Sequence, residues 1–249
     1  MKNYTIFLVC WMLLAFLVCI YLLFKAAPYG KFSNRNWGPV IDNKLAWFIM
    51  EVVVMLAFLY QLPLKTFNWF SVKGFMVALF FLHYIYRSII FPLMLRTQGK
   101  KMPLVVMLMG MVFNSVNGTT LGIWFANYAN YDSRWVSSLP FIIGTVLFFT
   151  GMIIHQTSDW HLIHLRKVGE TGYKIPTKGM FKYVSSPNLF GEITEWAGYA
   201  LLTWSLPALA FLVWTLANLL PRAAANQKWY KKTFEEYPEN RKILFPFIW

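Results

Sequence analysis

Residues 189–220 read LFGEITEWAGYALLTWSLPALAFLVWTLANLL, an apolar run interrupted only by Glu192 and Glu195. It is too long for one crossing, since about 20 apolar residues carry a helix through a bilayer core of about 30 Å. Pro207 follows Thr203-Trp204-Ser205. It has no N–H to donate and its ring clashes with the preceding turn. The run therefore predicts two helices joined by a tight connection, and this division sets the parity of the whole topology.

Five more apolar runs lie upstream: Tyr4 to Phe24, Leu45 to Leu62, Val72 to Leu95, Pro103 to Ala129 and Leu139 to Ile154. The first exceeds the 7–15 residue core of a secretory signal and no small-residue cleavage site closes it, so it reads as a retained span. The count is seven. Composition agrees: of 249 residues, 58% are hydrophobic, 19% aromatic and only 13% charged. Soluble domains carry about 25% charge, and an excess of apolar surface excludes a disordered chain. Cys10 and Cys19 both lie in the first run. They offer neither a disulfide framework nor a CxxC metal site.

The formal net charge is +13. With seven spans, one side of the membrane receives Lys25, Lys31, Arg35, Lys44, Arg96, Lys100 and Lys101. It also receives Arg166, Lys167, Lys174, Lys178 and Lys182, and the tail residues Arg222, Lys228, Lys231, Lys232, Arg241 and Lys242. The other side has Lys2, Lys65, Lys73 and Arg134, and Arg87 remains inside. The positive-inside rule then puts the C-terminus in the cytoplasm and the N-terminus outside. The cytoplasmic charges suit anionic lipid headgroups, or in part an anionic ligand.

Ionisable groups within spans are costly and mark functional candidates. Glu51 lies in the second run, His83, Tyr84 and Arg87 in the third, and Glu192 and Glu195 near the start of the sixth. Spacings of three and four put Tyr84, His83 and Arg87 on one broad helix face. A buried carboxylate and phenol at similar depth could together donate a strong hydrogen bond to a substrate carbonyl. The alternative is a structural Glu51–Arg87 ion pair, and Glu192 and Glu195 could likewise serve the basic loop beside them. His155, His161 and His164 cluster with Asp159, but this is a weak metal pattern, and no metal is expected. Four histidines are too few for a histidine-box hydroxylase, and GxGxxG, GxxxxGK[ST] and GxSxG sites are absent.

The C-terminal half carries Gly172-Tyr173-Lys174-Ile175-Pro176 and Gly179-Met180-Phe181-Lys182-Tyr183-Val184-Ser185. Asn188, Gly191-Glu192 and Glu195-Trp196-Ala197-Gly198-Tyr199-Ala200 follow, then Trp204-Ser205, Arg222-Ala223 and Trp229-Tyr230. The end is Phe234-Glu235-Glu236-Tyr237-Pro238, Arg241-Lys242 and Pro246-Phe247. Upstream are Ala46-Trp47-Phe48 with Glu51, Leu82-His83-Tyr84 with Arg87, and Asn117-Gly118. Together these resemble the steroid 5α-reductases, densely from about Ser158 onward.

The resemblance implies an all-α membrane reductase of seven helices that takes NADPH from the cytoplasmic side and a steroid or sterol-like lipid from the bilayer. It implies that Glu51 and Tyr84 hold the substrate's C3 carbonyl. It also implies that Arg87, Lys100, Asp159, Arg166, Tyr173, Lys174, Asn188, Glu192, Arg222 and Tyr230 contact the cofactor, the basic ones through its phosphates. Departures from the pattern are Met50 before the motif glutamate, His155 and Asn226 in place of Asn and His, and Lys174 in place of an Arg, which loses bidentate geometry.

The expectation is one integral-membrane reductase domain over residues 1–249. Helices 1–4 would surround the substrate, and helices 5–7 with their loops and the tail would form most of the cofactor site. It would reside in a bacterial inner membrane or the endoplasmic reticulum, with membrane lipid around it, no nucleic acid and no obligate protein partner. Alternatives are a lipid enoyl reductase acting on very-long-chain enoyl-CoA or polyprenal, a membrane methyltransferase of the isoprenylcysteine type, and a non-catalytic sterol-binding protein.

Overall fold

The computed structural model describes residues 1–32, 37–96, 99–167, 170 and 172–249. Arg35, one of the predicted cytoplasmic charges, lies outside them. The elements in chain order are α1 (Lys2–Phe24), β1 (Val40–Asp42), α2 (Asn43–Gln61), α3 (Val72–Ile85), α4 (Phe91–Met94) and β2 (Lys101–Pro103). They continue with α5 (Leu104–Ile123), α6 (Leu139–His164), α7 (Pro187–Thr203) and α8 (Leu206–Thr233). Among the described residues, six helical stretches are long and apolar enough to cross a membrane: α1, α2, α3 through α4, α5 with the turn after it, α6 and α8. The protein is a helical, multi-pass membrane protein. The predicted break at Pro207 is present: α7 ends at Thr203, Trp204 turns left-handed with φ 43°, and Ser205 caps α8. α7 has 17 residues, about 25 Å of helix.

The chain forms two compact units, Ala27–Phe141 and Met1–Ala26 with Ile142–Trp249. In the first, β1 pairs antiparallel with β2, Ile41 opposite Met102. This short ribbon has no signature in the hydropathy. It starts α2 and α5 side by side, and Asp42 caps α2 by accepting from Lys44 N and Leu45 N. The two helices then run in close backbone contact. A Cβ on Gly118 would strike the Val54 carbonyl oxygen, and one on Gly122 would lie 2.7 Å from that of Phe58. Gly118 and Gly122 form the small-residue spacing that lets membrane helices approach.

The third apolar run is one crossing but not one uniform helix. Between α3 and α4, Tyr86–Ile90 forms a π-helical turn. Pro92 has no N–H for the Ser88 carbonyl four residues back, and a wider turn accommodates the loss.

In the second unit α1 packs on α8, with Trp11 4.5 Å from Trp214 between ring centroids. α6 and α7 meet through glycines at heptad spacing on each helix, Gly144 and Gly151 against Gly191 and Gly198. Two helices run further than their apolar runs suggest. α6 continues past Ile154 to His164, so Asp159 is helical, its charge facing His155 one turn earlier. α8 continues past Leu220 through Pro221 to Thr233. Arg222-Ala223-Ala224-Ala225 are strong helix formers that resume the ladder beyond the proline.

Candidate active site

In the unit Ala27–Phe141, Glu51 is buried midway along α2 at 8% exposure. Its Oε1 lies 3.9 Å from Arg87 Nε, the ion pair weighed as an alternative. Asn114, reaching over from α5, donates from one amide nitrogen to Glu51 Oε2 at 3.3 Å and to the Met50 carbonyl at 2.7 Å. A carboxylate within an apolar helix thus has a cation and an amide donor, as burial of charge requires.

Arg87 sits on the π turn. Its guanidinium is 4.5 Å from the Trp47 ring and 4.8 Å from Phe91, which are edge to face with each other. The two rings attract the cation and leave its N–H groups for polar partners. Tyr84, three residues earlier, is 3% exposed. It packs on Phe80 and His83, and Ser88 Oγ donates to its carbonyl at 2.5 Å. Lys100 is exposed just before β2 and accepts from Asn43 N through its carbonyl.

The other unit gathers a second set. His155 on α6 is 1% exposed. Its Nδ1 lies 3.4 Å from Glu195 Oε2, and its Nε2 3.2 Å from Asp159 Oδ2 and 3.8 Å from Glu192 Oε2. With carboxylates at both ring nitrogens, only an imidazolium donates on both sides. Asn188, in the first turn of α7, donates to Asp159 Oδ1 at 3.1 Å. Asp159, Asn188 and Glu192 are thus brought together, and His155, a sequence departure with no role foreseen, is their hub. The spacing of His155 to Asp159 is visible in the sequence, but nothing there signals that Glu192 and Glu195 from another helix meet the same ring.

His161 and His164 instead direct Nδ1 to the carbonyls of Thr157 and Trp160 on their own helix. Arg166 donates to the Gly172 carbonyl and lies 5.5 Å from the Tyr173 ring, which meets Trp229 edge to face. Lys174 pairs with Glu170, and that hydrogen bond holds the Glu170 carboxyl below its ordinary range. Arg222 is half-buried on α8. Tyr230 is buried and stacks on Tyr237 at 5.2 Å.

Arg241, in the sequence a tail charge and part of the Arg241-Lys242 motif, is 4% exposed with its guanidinium over the Tyr237 ring. Its Nε and Nη1 have no hydrogen-bond partner among the described residues. The tail is tied down around it. Tyr237 Oη donates to Ser185 Oγ, Gln227 donates to the Arg241 carbonyl, and Val184 bridges to Lys242 in parallel.

A polytopic helical membrane protein with buried Glu–Arg and His–carboxylate clusters is the class these features define. Its family follows from similarity. The model of the 3-oxo-5-alpha-steroid 4-dehydrogenase family matches residues 100–249. The chain is 39% identical over 237 residues to 3-oxo-5-alpha-steroid 4-dehydrogenase 1 of Rattus norvegicus, covering 94% of this chain and 91% of that protein. It is 40% identical over 255 residues to Steroid 5-alpha-reductase DET2 of Solanum lycopersicum, covering 99% and 96%. For 3-oxo-5-alpha-steroid 4-dehydrogenase 1 of Homo sapiens the identity is 38% over 222 residues, covering 88% and 85%. The chain belongs to the 3-oxo-5-alpha-steroid 4-dehydrogenase family.

Proposed function

We propose that the protein reduces the Δ4 double bond of a 3-oxo-Δ4-steroid to the 5α-reduced 3-oxosteroid, with NADPH as reductant. The observation that carries this reading is the buried Glu51, paired with Arg87 and Asn114 in a chain whose family relatives are named for that reaction. In this reading the whole chain serves one membrane reductase in which α7 also crosses, making seven spans, with the N-terminus outside and the C-terminus in the cytoplasm. α1–α5 surround the substrate, and α6–α8 with the loops and tail form most of the cofactor site.

When bound, NADPH would supply a hydride equivalent for the β-carbon, C5. The donor set suits such a group. The Asn188–Asp159 pair and Glu192 combine amide and carboxylate hydrogen bonding of the kind a carboxamide takes. Arg87, Lys100, Arg166, Lys174 and Arg222 supply charge for phosphates, and Tyr173 and Tyr230 supply aromatic surface.

As C5 is reduced, negative charge develops on the C3 oxygen. Tyr84 donates a hydrogen bond to that oxygen, and Glu51 holds the phenol in place and polarises it. Arg87 anchors Glu51 from the helix that carries Tyr84. The low dielectric around Tyr84, 3% exposed, strengthens each of these interactions. A proton completes the reduction at C4, the α-carbon.

The test is NADPH oxidation by detergent-purified protein with testosterone or progesterone, with mass spectrometry of the product. Gain of two hydrogens at the Δ4 bond, lost in Tyr84→Phe, is the expected result. NADPH binding with oxidation driven only by an enoyl-CoA or polyprenal would replace the steroid by another enone lipid. Absence of NADPH binding would overturn the reading.

A further inference from the structure

The chain after α8 folds back along that helix. α8 ends at Thr233, and further on the Arg241 carbonyl accepts from Gln227 Nε2 at 2.7 Å. Leu244 then joins a buried cluster with Ala223 of α8 and with Leu189 and Ile193 of α7. Ala223 stands about 15 Å of helix before Thr233. Leu216, Leu219 and Leu220, from the apolar run that carries α8 through the bilayer, pack against the same cluster. The tail therefore returns to membrane depth.

The return is held in place by main-chain bonds. Lys242 N donates to the Tyr183 carbonyl at 2.9 Å, and Ser185 N donates to the Lys242 carbonyl at 2.8 Å. Phe245 meets Phe190 of α7 edge to face. Beyond it the chain closes on itself: Leu244 N and Phe245 N both donate to the Trp249 carbonyl, and Trp249 N donates to the Phe245 carbonyl. Phe247, inside this turn, has φ 65°, a left-handed conformation that a bulky residue seldom adopts.

What the closed turn presents outward is apolar. Phe247 is 79% exposed and Ile248 81% exposed, and Tyr183, its ring 5.6 Å from that of Phe247, is 47% exposed. Such a tip is costly in water and is stabilised beside lipid. The charges next to it are basic, since Lys182 and Lys242 are both exposed. No acid occurs from Ile175 to Pro187 or from Asn240 to Trp249. The acids of the tail, Glu235, Glu236 and Glu239, belong to the stretch just after α8, before the chain descends. An apolar tip with a lysine collar complements an anionic leaflet.

We propose that residues 246–249 and Tyr183 form an interfacial anchor. Phe247 and Ile248 insert among the acyl chains of the leaflet at the Thr233 end of α8, and Lys182 and Lys242 pair with its anionic headgroups. The anchor fastens the tail to the bilayer and does not rest on the catalytic reading.

The full chain in nanodiscs tests it by spin labelling, with the free cysteines removed by Cys10→Ala and Cys19→Ala. Phe247→Cys and, separately, Ile248→Cys carry the nitroxide, so each label leaves the other apolar residue in place. Glu236→Cys, at an exposed position, is the aqueous reference. In discs of dioleoylphosphatidylglycerol, collision with oxygen relative to a nickel chelate should be several-fold higher at either tip position than at position 236. In dioleoylphosphatidylcholine the tip should lie shallower, and Lys182→Gln with Lys242→Gln should remove that difference between the lipids. Tip positions as open to the chelate as position 236 would overturn the anchor. Equal depth of the wild-type tip in both lipids would overturn its pairing with anionic headgroups. Spin–spin broadening that disappears on dilution with unlabelled chain would also overturn the proposal, giving this face to a second copy.

Discussion

Gly151 on α6 and Gly191 on α7 meet backbone to backbone: a Cβ on either would run into main-chain atoms of the other helix, at Glu195 N and His155 N respectively. Since Glu195 and His155 are the residues that pair across this seam, helix separation and the buried charge cluster are one feature. Gly151→Ala and Gly191→Ala are expected to destabilise the protein by about 1–3 kcal/mol through overpacking and to lower turnover together with stability. Thermal unfolding in detergent, followed by assay of the folded fraction, checks both.

His155 faces Asp159, Glu192 and Glu195. Replacing it with Leu leaves three carboxylates without their cation, and removing one partner of a buried pair costs about 3–5 kcal/mol. His155→Gln, which keeps hydrogen-bonding capacity, should lose less. An unfolding midpoint for His155→Leu equal to that of wild type would remove the hub role.

In the other unit, Glu51→Gln and Tyr84→Phe should each lower turnover by about 10²–10³ with cofactor affinity largely unchanged. Cofactor titration by fluorescence alongside steady-state rates separates the two quantities.

Arg87 lies over both the Trp47 and the Phe91 rings. Arg87→Lys keeps the charge and loses the planar fork and the stacking. The apparent KM for the cofactor should rise by roughly tenfold, a larger effect than that of Lys100→Ala at an exposed position.

Tyr131 has a folded-state pKa raised by burial to about 12, against about 10 when exposed. A raised value means that its contribution to stability is complete below about pH 10 and is lost as the pH climbs toward 12. Alkaline unfolding should therefore set in earlier for wild type than for Tyr131→Phe when each is scaled to its stability at neutral pH. The tyrosinate absorbance difference between the two proteins should appear only near the top of that range.

Much of the fold was legible residue by residue. The break at Pro207 followed from a missing N–H. Glu51 and Arg87 were found as charges inside apolar runs, where they must have partners. The weighed ion pair is present, with Asn114 as a further donor that no spacing rule names. Helix ends were less legible. Hydropathy stops at Ile154 and Leu220, while the backbone ladder runs on to His164 and Thr233. In α8 strong helix formers such as Arg222 to Ala225 carry it on. In α6 the pairing of His155 with Asp159 and Glu195 holds residues of modest propensity in the helix.

What the amino-acid sequence by itself determined is the material of the fold: apolar stretches whose lengths answer to bilayer thickness, the proline that divides the last of them, and the buried charges that mark candidate chemistry. These depend on local composition and on the cost of placing polar groups in hydrocarbon. Tertiary structure alone decided the pairing of β1 with β2, the glycine seam between α6 and α7 and the gathering of acids around His155. Each of these needs residues distant in the chain to meet in a particular register. Register is set by packing between helices, which no single stretch of sequence contains.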